Sequence, residues 1–416
     1  MPVEPLTCEG TLMDRYLVIS SDCHAGLEPQ HYRNYVDPKF RDAFDEALPH
    51  QVRSTKTMEE SFLISDINAE WRKGYETLLT GAWDHAERMK VMDGDGVAVE
   101  VIFPDGITEQ NAPPFGAGFS MPTEGVDPEL QWAGSHAHNR WLAELVSQAP
   151  DRRLGLACIP VLWDIDQSVR EIRLAKENGL TGGIVIPPMW GSLPAYHHPR
   201  YDPIWEVCQD LDMPIHVHIG PSPIQEYFGP MKEMQSGTGP DLKGAMGAYL
   251  SEVVFWSSRS ITFMIWAGVF ERYPKLKFSI VEGAIDWVPD FLRTLDVRYT
   301  DSPQAQKLGD YISHLSMKPS DYFRRNVRLG AACMSPGDGK LGESIGPDCI
   351  MWGSDYPHPE GSWPYTQDQM VKAMAGLSED EVAAQLGGNA VKFYNLDAKK
   401  LAPIAARIGP DKSAFH

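Results

Sequence analysis

The sequence predicts an α/β fold, a (β/α)8 TIM barrel with long insertions at the C-terminal face of its strands. Three observations predict it. Short apolar runs alternate with helical patterns along the chain, several runs end on residues that bind metal, and the longest polar segments follow such ends. A parallel barrel gathers its strand ends into one mouth, so ligands far apart in sequence can meet there. An open doubly wound sheet is the competitor, but no GxGxxG follows the first strand, which weakens its dinucleotide-binding form.

Strand-like runs are read at residues 17–21, 97–103, 154–160, 183–186, 214–219, 277–281, 327–332 and 349–353. Most are continuous rather than alternating, as expected of parallel strands buried on both faces. Helical spacing of apolar residues fills 71–92, 130–148, 166–178, 202–212, 246–273 and 286–314, and Asn178-Gly179 reads as a helix C-cap. Segments 28–68, 105–125 and 220–244 exceed what a barrel needs and are expected to cover the mouth as lids. Residues 1–398 read as a single barrel domain carrying these insertions. Residues 399–416 read as a C-terminal tail, loosely ordered or reaching a neighbouring subunit.

Asp22 and His24 end the first run. Two apart on a strand, they share one face and can share a divalent cation. The bland alternative is a polar turn capped by Asp22. His216 and His218 repeat the spacing on the fifth run; His218, nearer the end, is the better ligand, and His216 lies deeper as a hydrogen-bonding or catalytic partner or a neutral core histidine. Glu282 ends the sixth run, where a carboxylate is costly to bury without a cation or donors. It can be ligand, general base or capping group. Asp355 follows the eighth run in Trp352-Gly353-Ser354-Asp355-Tyr356-Pro357-His358, where it can bind metal and take a proton from metal-bound water. His358 is a substrate-contact candidate, as are Trp190, Tyr227 and Trp363, which suit a partly apolar, aromatic substrate or else lid packing. His136 and His138 diverge on a helix and are poor chelators.

The chain has 416 residues, 43% hydrophobic and 23% charged, enough for a large core. A net charge of −20 argues against nucleic-acid binding, which needs clustered Lys and Arg. Six cysteines without CxxC spacing fit a reduced compartment, and no basic-then-apolar leader opens the sequence, so a cytoplasmic location is expected. The most apolar stretch, 248–270, is interrupted by Glu252 and Arg259 and fails as a membrane span. Phe255, Trp256, Phe263 and Trp266 on it fit a helix buried between subunits of a homodimer or larger assembly.

Ser21-Asp22-Cys23-His24, the run 214–220, Tyr273-Pro274-Lys275 through Glu282-Gly283, and Gly353-Ser354-Asp355-Tyr356-Pro357-His358 together resemble the amidohydrolase-2 family, the amidohydrolase-superfamily branch that includes aminocarboxymuconate-semialdehyde decarboxylase. Asn139-Arg140-Trp141 and Lys318-Pro319-Ser320-Asp321 resemble it too, and the likeness runs from about Leu17 to Leu396. The resemblance implies a barrel with one divalent metal on Asp22, His24, His218 and Asp355, zinc first and manganese second. Decarboxylases of the branch carry His after the sixth strand, where this chain has Glu282. The main expectation is therefore a metal-dependent hydrolase whose activated water cleaves an amide, an ester or a carbon–carbon bond beside a carbonyl. The alternatives are a non-oxidative decarboxylase or hydratase of an aromatic or muconate-type acid, and a non-catalytic ligand-binding barrel.

Overall fold

The computed structural model describes residues 7–8, 11–12, 14–106, 111–118, 127–236, 242–300 and 307–415. Eight parallel strands follow one another in sequence order around a nearly closed (β/α)8 TIM barrel. They are β1 (Val18–His24), β2 (Val97–Phe103), β3 (Arg153–Cys158), β4 (Gly183–Val185), β5 (Ile215–His218), β6 (Phe278–Val281), β7 (Val327–Ala331) and β8 (Ile350–Trp352). All but Arg328 among their residues are buried, which is why they read as unbroken apolar runs. A small antiparallel ribbon, Thr7–Cys8 with Thr11–Leu12, precedes the barrel.

The ring is stitched differently where β8 meets β1. Every other neighbouring pair has a registered ladder, whereas this seam is made by scattered bonds. Ser21 Oγ donates to the carbonyls of Met351 and Trp352 (3.1 and 2.9 Å), the Asp355 amide donates to Asp22 O (2.8 Å), and the His24 amide donates to Tyr356 O (2.7 Å). Gly353 is needed here: a Cβ on it would stand 2.7 Å from that of Asp22.

Helices α1 (Arg41–Phe62), α2 (Ser65–Leu79), α3 (His85–Asp95), α4 (Pro128–Ser147), α5 (Ile165–Glu177), α6 (Asp202–Asp210), α7 (Ala245–Trp266), α8 (Val288–Thr300) and α9 (Pro319–Asn326) lie between the strands. Several starts are set by the sequence: Asp84, Asp127 and Asp164 accept from backbone N–H groups of the first turns of α3, α4 and α5. Gly179, in the left-handed region at φ 88°, follows α5.

The helical run at 71–92 is two helices, not one. A 3-10 turn, Thr80–Ala82, interrupts it, Gly81 presses against Tyr356, and Asp84 caps a fresh helix. Within the run at 286–314, residues 288–300 are helical and 301–306 lie outside the described residues; farther on, Asp310 accepts from the amides of Ile312 and Ser313 in a local turn. The C-terminal residues expected as a loose tail instead form α11 (Ala398–Ile408), after α10 (Thr366–Ala373). Leu401, Ala402 and Ala405 form an apolar stripe that buries against Leu17, Val99 and Phe393, so the helix closes the barrel floor.

Of the expected lids, 28–68 contains α1, and 220–244 contains short helices Ile224–Phe228 and Met231–Ser236. Residues 107–110 and 119–125 of the second insertion and 237–241 of the third lie outside the described residues. The first and third insertions meet through Phe62, whose ring packs 5.1 Å from Phe228 and 5.2 Å from Tyr249. Among the described residues, no helix is long and apolar enough to cross a membrane. Leu250 and Phe255 on α7 are exposed.

Candidate metal centre

The mouth is assembled from strand ends. Asp22 and His24 close β1, His218 closes β5, Glu282 follows β6, and Asp355 stands just past β8. Asp22, His24, His218 and Asp355 are buried. His24 Nε2 lies 3.4 Å from Asp22 Oδ1 and 3.3 Å from Asp355 Oδ1, and His218 Nε2 lies 3.7 Å from Asp22 Oδ1. Ligand atoms about 2.1 Å from a shared ion stand about 3.0–3.4 Å from one another, so this spacing suits one cation. The carboxylates make the same case. All four oxygens of Asp22 and Asp355 are buried, and the groups that face them are the imidazoles of His24, His218 and His358, a cluster of carboxylates and imidazoles of the kind that holds a divalent cation. Asp22, His24 and His218 are placed so that they could hold a metal ion, and Asp355 lies beside them, 3.3 Å from His24 Nε2.

A surrounding layer aims the imidazoles. His24 Nδ1 lies 2.8 Å from Asp105 Oδ1 and 3.2 Å from Pro104 O. His218 Nδ1 lies 2.5 Å from Ile219 O and 3.3 Å from Glu282 Oε2. With each Nδ1–H engaged by an oxygen, each Nε2 lone pair is left for the centre. His358 stacks on His24 at 3.9 Å and bridges two carboxylates, Nδ1 to Asp355 (3.1 Å) and Nε2 to Asp105 (3.2 Å). Glu282, Asp355, His358 and Glu360 form an adjoining group with ligand atoms within 4.8 Å of one another, Glu360 at its exposed end.

Opposing effects set the charges. Burial pushes the Asp22 carboxyl up, but His218 and His24 outweigh it and hold Asp22 below the usual carboxylate range. Asp105 is likewise held down, by His24 and His358 against burial. Burial disfavours the His24 imidazolium, yet Asp105, Asp22 and Asp355 raise it well above its ordinary value. Glu282 goes the other way: burial first, then Asp355, Asp22 and Glu360, lift its carboxyl well above the ordinary range.

Asp105 and Glu360 join the mouth although sequence reasoning gave them no role. Asp105 lies two residues past the β2 apolar run, behind Pro104, the strand-end position that marked the others. His216 stays out of the ligand group. It is buried in the barrel with Nε2 3.0 Å from the Tyr394 hydroxyl and Nδ1 3.2 Å from Ile184 O, and burial lowers its pKa to about 4. Both ring nitrogens are engaged there, by Ile184 O and the Tyr394 hydroxyl, away from the ligand group. Trp190 is buried against Tyr196 and Phe263. Tyr227 donates to Glu252 on α7 (2.7 Å) and accepts from Trp256 (3.0 Å). Trp363 packs among Trp71, Tyr75 and Tyr356. Among the described residues these three pack away from the ligand group, whereas His358 touches it.

Fold and donors together define a metal-binding (β/α)8 barrel with its site at the strand ends. The chain belongs to the amidohydrolase family, whose model matches residues 22–396. It is 22% identical over 333 residues to 2-amino-3-carboxymuconate-6-semialdehyde decarboxylase of Dictyostelium discoideum, covering 79% of this chain and 81% of that one. It is 27% identical over 235 residues to gamma-resorcylate decarboxylase of Polaromonas sp., covering 53% and 64%. Among solved structures, an amidohydrolase from Mycobacterium avium subsp. paratuberculosis superposes with a TM-score of 0.64 at 18% identity, covering 91% of this chain and 99% of that one. The 5-carboxyvanillate decarboxylase of Novosphingobium aromaticivorans, with bound manganese, superposes with a TM-score of 0.61 at 20% identity, covering 92% and 98%.

Proposed function

We propose that this protein is a metal-dependent, non-oxidative decarboxylase of a small aromatic or muconate-type acid. This reverses the order given by the sequence, where Glu282 in place of His favoured water activation. The observation that carries it is the position of Glu282: partly buried just past β6, its carboxyl 3.3 Å from His218 and grouped with Asp355 and His358 at the mouth, it is a carboxylic acid placed to give a proton, and burial and the neighbouring carboxylates raise its pKa. The decarboxylases among the similar proteins support the same reading.

Asp22, His24, His218 and Asp355 would hold the metal, which would supply electrostatic anchoring for the substrate's carboxylate or a neighbouring oxygen. Two carboxylates with two imidazoles make a rather hard donor set, and manganese, present in solved relatives, replaces zinc as the first choice. Asp105 and the Ile219 carbonyl fix the two imidazoles, and the packed rings of Phe62, Phe228 and Tyr249, which join two of the insertions that follow strand ends, would shield the substrate from water. Glu282 delivers its proton to the carbon that loses carbon dioxide. The broken C–C bond's electron pair takes that proton, and Glu282 regains one from solvent past Glu360. We place the chain as a homo-oligomer through exposed Leu250 and Phe255 of α7.

The test uses manganese-loaded protein and carboxyl-labelled hydroxybenzoates and muconates. Labelled carbon dioxide should appear, vanish on chelation and return with manganese. A second reading, carbon–carbon hydrolysis or hydration, is favoured by Glu282 being a carboxylic acid rather than His. Oxygen-18 entering the product from water, with no carbon dioxide over the whole panel, would select it and overturn the first.

A further inference from the structure

We propose that Arg88, on α3 outside the ring, is a positioning residue for the metal centre. The inference rests on the metal-site reading above, because what it positions is His24. Arg88 is fully buried. Its Nε donates to Glu100 Oε1 (2.7 Å), and its Nη1 donates to the carbonyls of His24 (2.8 Å) and Gly81 (3.0 Å). Its guanidinium carbon lies 5.4 Å from the centre of the Tyr356 ring. One planar group therefore touches both sides of the β8–β1 seam, where Asp22 and His24 stand on one lip and Asp355 on the other.

The seam explains why such a clamp is needed. At other places around the ring a ladder fixes each strand end against its neighbour. Here the His24 amide donates to Tyr356 O and its carbonyl accepts from Arg88, so the clamp holds the peptide that aims the imidazole. Lysine cannot reproduce this: its ammonium is a single point, whereas the guanidinium fork reaches Glu100 and two carbonyls from one plane. Glu100 has a second partner, Arg153, also fully buried, whose Nε donates to it at 3.3 Å. Arg153 otherwise bonds to Leu145 O (2.8 Å) and His85 Nδ1 (3.1 Å), neither of them at the mouth. The two arginines share charge, burial and counter-ion, and only Arg88 reaches a proposed ligand.

That pairing supplies the experiment. Manganese binding to purified full-length protein is titrated for the wild type, Arg88→Lys and Arg153→Lys, and the visible spectrum of each with cobalt(II) is recorded. Arg88→Lys should weaken manganese binding by about 10–100-fold and shift the cobalt bands. Arg153→Lys should bind as the wild type does, although both variants melt earlier when metal-free. Wild-type affinity and spectrum in Arg88→Lys, or equal weakening in both variants, would overturn the proposal. A wild type that binds no manganese would instead remove the metal-site reading beneath it. If Arg88→Lys does not fold, Glu100→Gln loosens the Nε anchor while keeping the contact to His24, and it should weaken manganese binding by a smaller factor; no change there also overturns the proposal.

Discussion

Asp105, Glu282 and Asp355 share a backbone oddity: each is a non-glycine residue in the left-handed region, at φ 74°, 70° and 60°. Such conformations cost of order 1–3 kcal/mol each and persist where the surrounding structure imposes them. Here three strand ends turn sharply at a carboxylate, and each turn carries that carboxylate to the mouth. Replacing Glu282 by Gln keeps the shape and removes the acid. Turnover should fall by about 10²–10⁴-fold with little change in manganese binding. The sign of the pH effect follows from the raised pKa: Glu282 is a donor while protonated, so wild-type turnover should decline as pH rises through its folded value. A rate–pH profile in which E282Q keeps that alkaline limb would refute the assignment. At this scale the sequence was informative but incomplete. Asp22, His24, His218 and Asp355 were nominated because each stands at or just past the end of an apolar run rich in strand formers. Asp105 was not, because Pro104 in front of it makes it look like the start of a loop. His216 was nominated by its spacing to His218, and that spacing says nothing about depth inside a barrel.

Elements are joined by polar contacts that periodicity cannot reveal. Asp95, at the end of α3, is buried and accepts from the Thr366 hydroxyl at the start of α10 (2.7 Å). Burial lifts its pKa to about 7, against the lowering by Thr366. The folded state therefore holds a proton that the unfolded chain releases at ordinary carboxylate pH. The associated stability is fully present below the unfolded pKa and is lost as pH rises through about 7. Asp95→Asn, neutral throughout, should flatten the fall in melting temperature across this window, by an amount worth up to about 4 kcal/mol at the alkaline end. Melting curves of equal slope for the two proteins would show that Asp95 is not the group responsible. Element boundaries failed in the sequence for a related reason. The apolar pattern runs straight through 80–82, and the break between α2 and α3 shows in the Thr80–Ala82 turn, the packing of Gly81 under Tyr356 and the Asp84 cap.

For the whole molecule, the alternation of apolar runs and helical patterns was enough to predict the barrel, because every strand is buried on both faces. The closing helix α11 was missed: its stripe of Leu401, Ala402 and Ala405 is short and set among Lys and Arg. Metal should stabilise the folded chain by mass action, about 2.7 kcal/mol at free metal 100 times Kd. Thermal unfolding with manganese and with chelator measures this, and identical transitions would show that no metal joins these residues.

The unladdered seam gives that stabilisation a location. Three of the four proposed ligands stand on its two lips, so the ion would act as a rivet across the weakest join of the ring. Its loss would be felt first as local gaping, with faster hydrogen exchange at residues 20–24 and 351–356 than on the far wall formed by β4 and β5. Gaping there exposes chain to proteases. In a cell short of metal, this protein would then become not only idle but short-lived, its abundance tracking the supply of the ion.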